Sequence, residues 1–441
     1  MRHLQFEGFA AGTSSGHGFP GRRSASIMAL RMNRNMKPIR TVILVLALTI
    51  GVSVAGAGGQ TAPAVKPGDA GPPDMMIAPP AKPVEKKVSF PMGPGVGQGD
   101  KLTIPVTVGK KEYLFLVDTG VGLSVLDSAL ADSLGELLGP PVGEDKITDI
   151  QGRKTPVTLY HPPPLVVAGV PLRQNSNVIA ALDLALVREA SGRPIQGVLG
   201  MDVLTNLVVR LDFKNHQLDF VDAATFTAPS DAGTQKFRIL EISKGEPGMA
   251  IPFAGKGEQA MALDTGGDFA FTLSADALKQ FAGATSRPIW SVGSGGMITT
   301  NEYLLAQKWT LAGTTFENLW VEQEASNAMG MAALADFVVT LDFMDAWVYL
   351  QPLVGVHRQR GSIVEAFGVS AKEGRFFIKM SSDLAAKLDI LPGDEIVALG
   401  GKPVEKMELW ALRCTIQEMV NPMLTLRRNG ANHEVTLHHK E

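Results

Sequence analysis

Two Asp-Thr-Gly triplets lie within a longer duplicated pattern, and this duplication constrains the fold more than any other feature of the sequence. Four pairs of equivalent residues occur in the same order in both halves, separated by 146, 144, 130 and 130 residues: Asp118 and Asp264, Gly169 and Gly313, Gly200 and Gly330, Leu211 and Leu341. A single length change in the middle of the pattern accounts for the shorter separations. Because ordered, collinear matches are the mark of a repeated unit, two copies of one domain are predicted.

Each copy consists of short apolar or alternating segments bounded by Gly and Pro, a pattern typical of β-strands. Short helices are predicted only near residues 128–138 and 274–282. Strands and helices therefore do not alternate regularly, and a doubly wound parallel sheet is disfavoured. We refer to residues 100–223 as lobe one and to residues 235–352 as lobe two.

Each triplet follows an apolar segment, so its aspartate is expected at a buried turn. The Thr119 hydroxyl could hydrogen-bond across to its twin, and Gly120 would permit a tight backbone path. One such turn is more often only the end of a strand. Two turns related by a pseudo-twofold axis would instead bring two carboxylates close enough to share a proton, which raises one pKa and lowers the other. The ionised carboxylate can then activate a water while the protonated one polarises a peptide carbonyl.

These segments resemble the retropepsin-like aspartic proteases, specifically the exported bacterial members with a C-terminal PDZ domain. The resemblance spans about residues 100–441. It implies a mainly β protein: two pseudo-symmetric pepsin/retropepsin-like β-barrel lobes, followed by a PDZ-like β domain with one or two short helices. The motifs that carry it are Leu116-Val117-Asp118-Thr119-Gly120, Ala262-Leu263-Asp264-Thr265-Gly266, Val198-Leu199-Gly200 and Ala328-Met329-Gly330.

Site residues follow from this resemblance. The catalytic pair would be Asp118 and Asp264, acting without a metal or another cofactor. The supporting residues of the catalytic loops would be Thr119, Gly120, Thr265 and Gly266.

Lobe two departs from the family pattern in three places. Gly267 follows its triplet where the family often has Ala or Ser, and Ala270-Phe271 stands where lobe one has Ser124-Val125. Ala332 likewise replaces Asp202 of lobe one. Both carboxylates are retained, but these changes weaken the expectation of strong catalysis.

An aspartic protease also needs a flap that closes over its substrate. In lobe two the candidate is the segment 291–298, with Gly293, Gly295 and Gly296; in lobe one it is 150–154, with Gly152. The glycines fit two ordinary surface hairpins equally well.

Residues 361–441, the C-terminal domain, resemble a bacterial PDZ domain through the turn Leu391-Pro392-Gly393-Asp394 and the hairpin Gly400-Gly401-Lys402. An amphipathic helix is predicted over 406–419, and closing strands over 423–426 and 434–437.

A PDZ domain binds an extended peptide at a sheet edge, often by capturing the terminal carboxylate of that peptide on backbone N–H groups. The candidate carboxylate loop contains Phe367, Gly368 and Val369. A C-terminal peptide ligand is thus expected, and the domain is expected to affect the choice of substrate rather than the chemistry. The alternative is a domain that only packs on the protease.

The N-terminal residues 1–57 contain a basic segment, an apolar run over 41–55 and small residues at Ala55-Gly56-Ala57, which together predict a secretory signal peptide. Residues 58–99 are rich in Pro, Gly and Ala and are predicted to be an extended linker. Export, to the periplasm, is therefore expected, with no stable membrane span after cleavage. The alternative is an anchor formed by the uncleaved segment.

Composition excludes several other functions. The net charge of -3 and the absence of a long basic block argue against nucleic acid as a partner. Cys414 is the only cysteine, which excludes an intramolecular disulfide framework. Two hypotheses remain: an aspartic endopeptidase that acts on peptides or proteins, and a non-catalytic peptide-binding or scaffold protein built on the same folds.

Overall fold

The structure is a computed structural model that describes residues 85–148, 154–243, 245–281, 285–293, 296–305, 307–357 and 367–438. These residues lie within one compact unit, Pro79–Glu441. The chain is mainly β, as predicted. The predicted signal peptide and most of the predicted linker lie outside the described residues. No helix among the described residues is long and apolar enough to cross a membrane.

The first part of the chain forms one short strand and then the elements of lobe one. In chain order these are β1 (Lys87–Pro91), β2 (Thr103–Val108), β3 (Lys111–Val117), β4 (Val125–Asp127), α1 (Ser128–Leu134), β5 (Gly143–Thr148), β6 (Lys154–Tyr160), β7 (Leu165–Val167), β8 (Val170–Pro171), β9 (Ile179–Leu182), α2 (Ala185–Ser191), β10 (Ile195–Leu199), α3 (Met201–Leu204), β11 (Val208–Asp212) and β12 (Gln217–Val221). The main sheet of lobe one has the order β5-β6-β9-β4-β10-β3-β2-β7-β8.

Lobe two follows with a closely similar order of elements. These are β13 (Gln235–Arg238), β14 (Leu240–Ser243), β15 (Glu246–Pro252), β16 (Glu258–Asp264), β17 (Phe271–Ser274), α4 (Ala275–Leu278), β18 (Thr285–Gly293), β19 (Gly296–Leu305), β20 (Trp309–Leu311), β21 (Thr314–Phe316), β22 (Leu319–Glu324), β23 (Ala328–Gly330), α5 (Met331–Leu334), β24 (Phe337–Asp342) and β25 (Trp347–Pro352). Its main sheet has the order β14-β15-β16-β23-β17-β22-β19-β18.

The two lobes pair their central strands in the same way. In lobe one, β10 runs parallel to β3 and antiparallel to β4, which is itself parallel to β9. In lobe two, β23 runs parallel to β16 and antiparallel to β17, which is itself parallel to β22. The predicted helices near 128–138 and 274–282 are confirmed as α1 and α4, each extended by a 3-10 turn.

A further sheet, with the order β1-β12-β11-β24-β25-β13, joins the lobes. Its central strands, β11 and β24, are equivalent in the duplicated pattern and pair antiparallel, with Arg210 opposite Thr340. Since these two residues are themselves equivalents, the local twofold axis passes between them. Apolar side chains of both strands, such as Val209 and Val339, are fully buried in the core shared by the lobes.

The C-terminal domain has its own sheet and its own apolar core. It comprises β26 (Phe367–Lys372), β27 (Arg375–Ser381), α6 (Asp383–Lys387), β28 (Glu395–Leu399), β29 (Lys402–Pro403), α7 (Leu409–Glu418), β30 (Met423–Arg428) and β31 (Ala431–Thr436). The predicted helix over 406–419 is confirmed as α7, and the predicted closing strands correspond to β30 and β31. Strand β26 is at one edge of this sheet.

The linker prediction is wrong for residues 85–99. Strand β1 pairs antiparallel with β12. The ring of Phe90 packs edge-on against the ring of Phe220, with the ring centroids 5.7 Å apart. Met92 and Val96 are buried in the same core. Apolar residues in this segment are too sparse to form a period. Its strand is defined instead by pairing with a segment about 130 residues later, which no local pattern indicates.

We expect Phe90→Ala to lower the free energy of unfolding by about 3–5 kcal/mol, because it removes a buried aromatic ring and leaves a cavity. Pro91→Ala changes the exposed neighbour on the same strand and should alter stability by less than about 0.5 kcal/mol. Urea titration monitored by tryptophan fluorescence measures both. Equal effects of the two substitutions would show that β1 is not integral to the core.

Candidate active site

The two aspartates are placed by equivalent strand ends. Strand β3 becomes fully buried towards Val117, and Asp118 follows directly. Strand β16 ends at Asp264 itself. Each loop is held from behind by the parallel neighbour strand; for example, the Asp118 N–H donates to the Leu199 carbonyl at 3.0 Å. The apolar-apolar-Gly segments singled out in the sequence are these neighbour strands, β10 and β23, and the residues that end them.

Reciprocal hydrogen bonds join the two loops. The N–H of Thr119 donates to the hydroxyl of Thr265 at 3.0 Å, and the N–H of Thr265 donates to the hydroxyl of Thr119 at 3.1 Å. The Thr265 hydroxyl donates in turn to the Val117 carbonyl at 2.8 Å, and the Thr119 hydroxyl donates to the Leu263 carbonyl. Both threonines are fully buried. Each hydroxyl therefore both accepts and donates across the twofold axis, which fixes the position of one aspartate relative to the other.

The glycines of the triplets are required by close approach. A Cβ atom on Gly266 would overlap the carboxyl group of Asp118, and one on Gly120 would lie 3.0 Å from the Asp264 carboxyl carbon. The carboxyl groups of Asp118 and Asp264 converge at this point, since the same Cβ atom on Gly120 would lie 3.0 Å from Asp264 Oδ1 and 3.2 Å from Asp118 Oδ1. The structure thus brings together all six residues that the sequence assigned to the catalytic loops.

The two carboxyl groups have different surroundings. Burial raises the pKa of Asp118 to about 8, and the negative charge of Asp264 adds to this shift. Burial also raises the pKa of Asp264, but the positive charge of Lys101 and the N–H groups of Gly267 and Gly266 oppose the rise. These N–H groups donate to Asp264 Oδ1 at 2.9 and 2.8 Å, whereas Asp118 Oδ1 receives one such bond. Asp264 is therefore the better site for the negative charge and Asp118 for the shared proton.

A buried polar network supports the loop of lobe one. The Asp202 carboxylate accepts hydrogen bonds from the Ser124 N–H at 2.8 Å and from the Ser124 hydroxyl at 2.7 Å. The Ser124 hydroxyl also accepts the Gly200 N–H at 3.0 Å. In lobe two the equivalent positions are Ala270 and Ala332, so both partners of the hydrogen bond are replaced together. This paired replacement leaves no orphaned half of the network and explains two of the three departures seen in the sequence.

The third departure, Gly267, is explained by an aromatic ring. A Cβ atom at this position would overlap the ring of Phe269, which also lies over Gly330. In lobe two the apolar ring of Phe269 therefore occupies space behind the loop.

Of the flap candidates, Gly293 ends β18 and Gly296 begins β19 in a long hairpin of lobe two. Gly295 lies outside the described residues, as does Gly152, whose segment connects β5 with β6 in a second hairpin. Strand β18 lies alongside α2 of lobe one and β26 of the C-terminal domain.

The carboxylate-loop candidates Phe367, Gly368 and Val369 form the beginning of strand β26 rather than a loop. Val369 is buried, and its carbonyl accepts a hydrogen bond from Arg413 on α7. At its other end the strand faces lobe one, where Gly192 comes so close to Leu409 and Ala371 that a Cβ atom would lie 3.0 and 3.4 Å from theirs. Strand β26 is thus already contacted by other parts of the same chain at both of its ends.

Sequence reasoning missed Lys101, which lies just before β2. Its ammonium group donates to the Gly266 carbonyl at 2.7 Å and lies 3.7 Å from Asp268 Oδ1. A lysine at the end of a Pro- and Gly-rich segment carries no local signal, because its partners are about 165 residues away. Among the described residues, no group of His, Cys, Asp and Glu has the arrangement of a metal site.

Comparison with known proteins relates the chain to one family over part of its length. Residues 104–203 match the family model described as aspartyl protease. The matched segment contains the first triplet together with Ser124 and Asp202. A search of curated proteins found no match.

We expect Ser124→Ala and Asp202→Ala each to destabilise the protein by about 2 kcal/mol, because each leaves a buried polar partner unsatisfied. The double variant reproduces the pair found in lobe two. Its loss should be smaller than the sum of the two single losses by at least about 1 kcal/mol. Unfolding free energies of the parent, the two single variants and the double variant, measured by denaturant titration, give this double-mutant cycle. Ser133→Ala, at an exposed position on α1, serves as the control, and its effect on stability should add to that of Asp202→Ala. If the effects of Ser124→Ala and Asp202→Ala also add, the proposed coupling between Ser124 and Asp202 is contradicted.

Proposed function

We propose that the chain is an aspartic endopeptidase with Asp118 and Asp264 as its catalytic pair. The observation that carries this proposal is the close approach of two partly buried carboxyl groups on loops locked together by Thr119 and Thr265. The match of residues 104–203 to the aspartyl protease model supports it. A non-catalytic scaffold would derive no benefit from two carboxylates that repel each other in the interior, since burial of charge costs free energy.

The surroundings of the two groups suggest their roles. Asp264, held ionised by two N–H donors and by Lys101, takes a proton from a water whose oxygen attacks the carbonyl carbon. Asp118 gives its proton to the carbonyl oxygen, which yields a tetrahedral diol. Return of the first proton from Asp264 to the amide nitrogen allows the C–N bond to break, and Asp118 regains a proton from the diol. The pair is then restored without a covalent intermediate.

The remaining parts of the proposal concern access and location. The β18–β19 and β5–β6 hairpins are proposed as flaps, and the substrate as a peptide or protein. The C-terminal domain is proposed to be PDZ-like, which is supported by the edge position of β26 beside α7. Export to the periplasm is proposed from the signal-peptide pattern before residue 58.

We expect Asp118→Asn and Asp264→Asn each to reduce peptidase activity by at least about 10²-fold, since either change removes one half of the acid/base pair. Unfolded casein and a fluorogenic peptide library serve as substrates. Asp276→Asn is the matched control, because Asp276 lies on the surface at α4, where it pairs with Lys279. Wild-type turnover in either dyad variant would exclude the catalytic assignment.

The same two variants should be more stable than the parent at neutral pH. The folded-state pKa of Asp118 is higher than its value in the unfolded chain, so folding favours the protonated form. The unfolding free energy of the parent therefore falls as pH rises from about 4 to about 8, and Asn removes this loss. Thermal unfolding across this pH range should show a flatter profile for Asp118→Asn. A loss of stability at neutral pH would indicate that the carboxyl pair is not strained.

The pH dependence of kcat/KM should be bell-shaped. The acidic limb reports protonation of Asp264 and the alkaline limb reports loss of the proton from Asp118, near its raised pKa of about 8. Initial rates with a fluorogenic peptide from about pH 3 to about pH 10 measure both limbs. Activity that continues to rise far above pH 8 would exclude Asp118 as the general acid.

A further inference from the structure

We propose that Lys101 is a positioning residue for the aspartate pair, and that the C-terminal domain holds it in place through Arg193 and Glu408. This inference rests on the proposed peptidase function and gives the C-terminal domain a part in the chemistry. It replaces the expectation from the sequence that this domain affects only the choice of substrate.

Lys101 belongs to lobe one but holds the catalytic loop of lobe two. Its ammonium group bonds the Gly266 carbonyl at 2.7 Å and lies 3.7 Å from Asp268. These contacts lie on either side of Gly267, whose N–H group donates to Asp264 Oδ1. The lysine side chain is only 17% exposed, so its charge is weakly screened by solvent. It therefore fixes the loop around Asp264 and places a positive charge near the site of the negative charge.

This charge has no counterpart in the other half of the molecule. Thr103 pairs with Leu116 in lobe one, and Gly248 pairs with Ala262 in lobe two. Leu116 and Ala262 are equivalent, so their strand partners Thr103 and Gly248 are equivalent as well. Lys101 lies two residues before Thr103, and Glu246 lies two residues before Gly248. Lobe two therefore has Glu246 at the position of Lys101. Lys101 therefore has no lysine equivalent in lobe two. Its charge lowers the pKa of both aspartates; for Asp264 it ranks directly after burial, whereas for Asp118 the charge of Asp264 and the Gly120 N–H group weigh more.

A chain of polar contacts runs from the Lys101 backbone through the ion pairs of Arg193 to the C-terminal domain. The Lys101 N–H donates to Asp100 Oδ1 at 2.9 Å, and Asp100 is almost completely buried. Arg193 donates to both oxygens of Asp100 at 3.0 and 2.5 Å and to both oxygens of Glu408 at 3.1 and 2.6 Å. Bidentate arginine pairs of this kind fix geometry as well as charge. Glu408 immediately precedes α7, so the position of this helix is coupled to that of Lys101.

Helix α7 also touches the segment before Lys101 directly. The ring of Trp410 covers Gly95 so closely that a Cβ atom there would overlap it. The Cys414 thiol donates to the Gln98 carbonyl at 3.2 Å. Residues 95–101 are thus held between the C-terminal domain on one side and the loop of lobe two on the other.

Other charged groups face the same region. Arg413 on α7 has Asp268 as its electrostatic partner. Together with Lys101 it lowers the pKa of Asp268, whose side chain is 46% exposed. Glu322 on β22 has its pKa raised, first by burial and then by Asp268 and two neighbouring glutamates, Glu302 and Glu324. The charge of Lys101 lowers the pKa of four carboxyl groups in this region: Asp118, Asp264, Asp268 and Glu322.

The test compares Lys101→Met with Lys101→Arg in the full chain, using the pH profile of kcat/KM. Loss of the cation makes Asp264 easier to protonate, so the acidic limb should move to higher pH by about one unit in Lys101→Met. Lys101→Arg should restore most of the shift. Glu408→Gln should move the limb in the same direction by a smaller amount, because the cation remains but is held less firmly. Lys279→Met, at an exposed position on lobe two, should leave the profile unchanged.

A second measurement does not depend on catalysis. The fall of thermal stability with rising pH should extend to higher pH in Lys101→Met than in the parent, and this difference should diminish when Asp264→Asn is added. An unchanged acidic limb and an unchanged stability profile in Lys101→Met would overturn the inference while leaving the peptidase proposal intact. If the parent cleaves no peptide but the stability profile shifts as expected, the peptidase proposal fails and the electrostatic role of Lys101 stands.

Discussion

The close approach of the Asp118 and Asp264 carboxyl groups is the constraint on which the rest of the structure depends. Two like charges in the interior repel, so a fold that keeps them together must supply stabilisation elsewhere. The exchange of hydrogen bonds between Thr119 and Thr265 provides it locally, since every buried polar group of this brace has a partner across the axis. The sheet that contains β11 and β24 provides it globally by fixing the lobes relative to each other.

The two lobes share this framework but differ in what stabilises each loop. In lobe one, Ser124 and Asp202 form a buried polar network, whereas lobe two has Ala270 and Ala332 at these positions and the ring of Phe269 close behind. Removing one partner of a buried polar pair leaves the other unsatisfied, so joint replacement of both partners is a physically consistent outcome. Duplication thus supplies a symmetric framework, and the additional N–H donor of Gly267 together with the nearby Lys101 gives the two carboxyl groups different proton affinities.

The sequence predicts those features that are local or repeated. Both triplets with their glycines, and the helices α1, α4 and α7, have signals within a few residues, and the duplication relates distant segments by simple order. Strand β1 and Lys101 have no such signal, because each is defined by a partner far along the chain: Phe220 for Phe90, and Gly266 for Lys101.

Helix α2 and the packing of the C-terminal domain were likewise outside the reach of sequence patterns. Contacts such as that of Gly192 with Leu409 join surfaces whose complementarity appears only after both domains have folded. A motif indicates that a domain exists, but it does not show which of its surfaces are already occupied. The Val369 carbonyl illustrates this, since a group expected at a peptide-binding edge is engaged by Arg413 within the same chain.

The pairing of β11 with β24 has a consequence for assembly. Because equivalent strands meet antiparallel about a local axis, the contact has the geometry of an isologous dimer interface formed within one polypeptide. Strand β24 of a neighbouring molecule could therefore pair with β11 in the same way as β24 of the same molecule does. The connection between β12 and β13, residues 222–234, therefore sets a local concentration that favours the intramolecular partner. Shortening this connection would convert the same interface into a site of lobe exchange between chains.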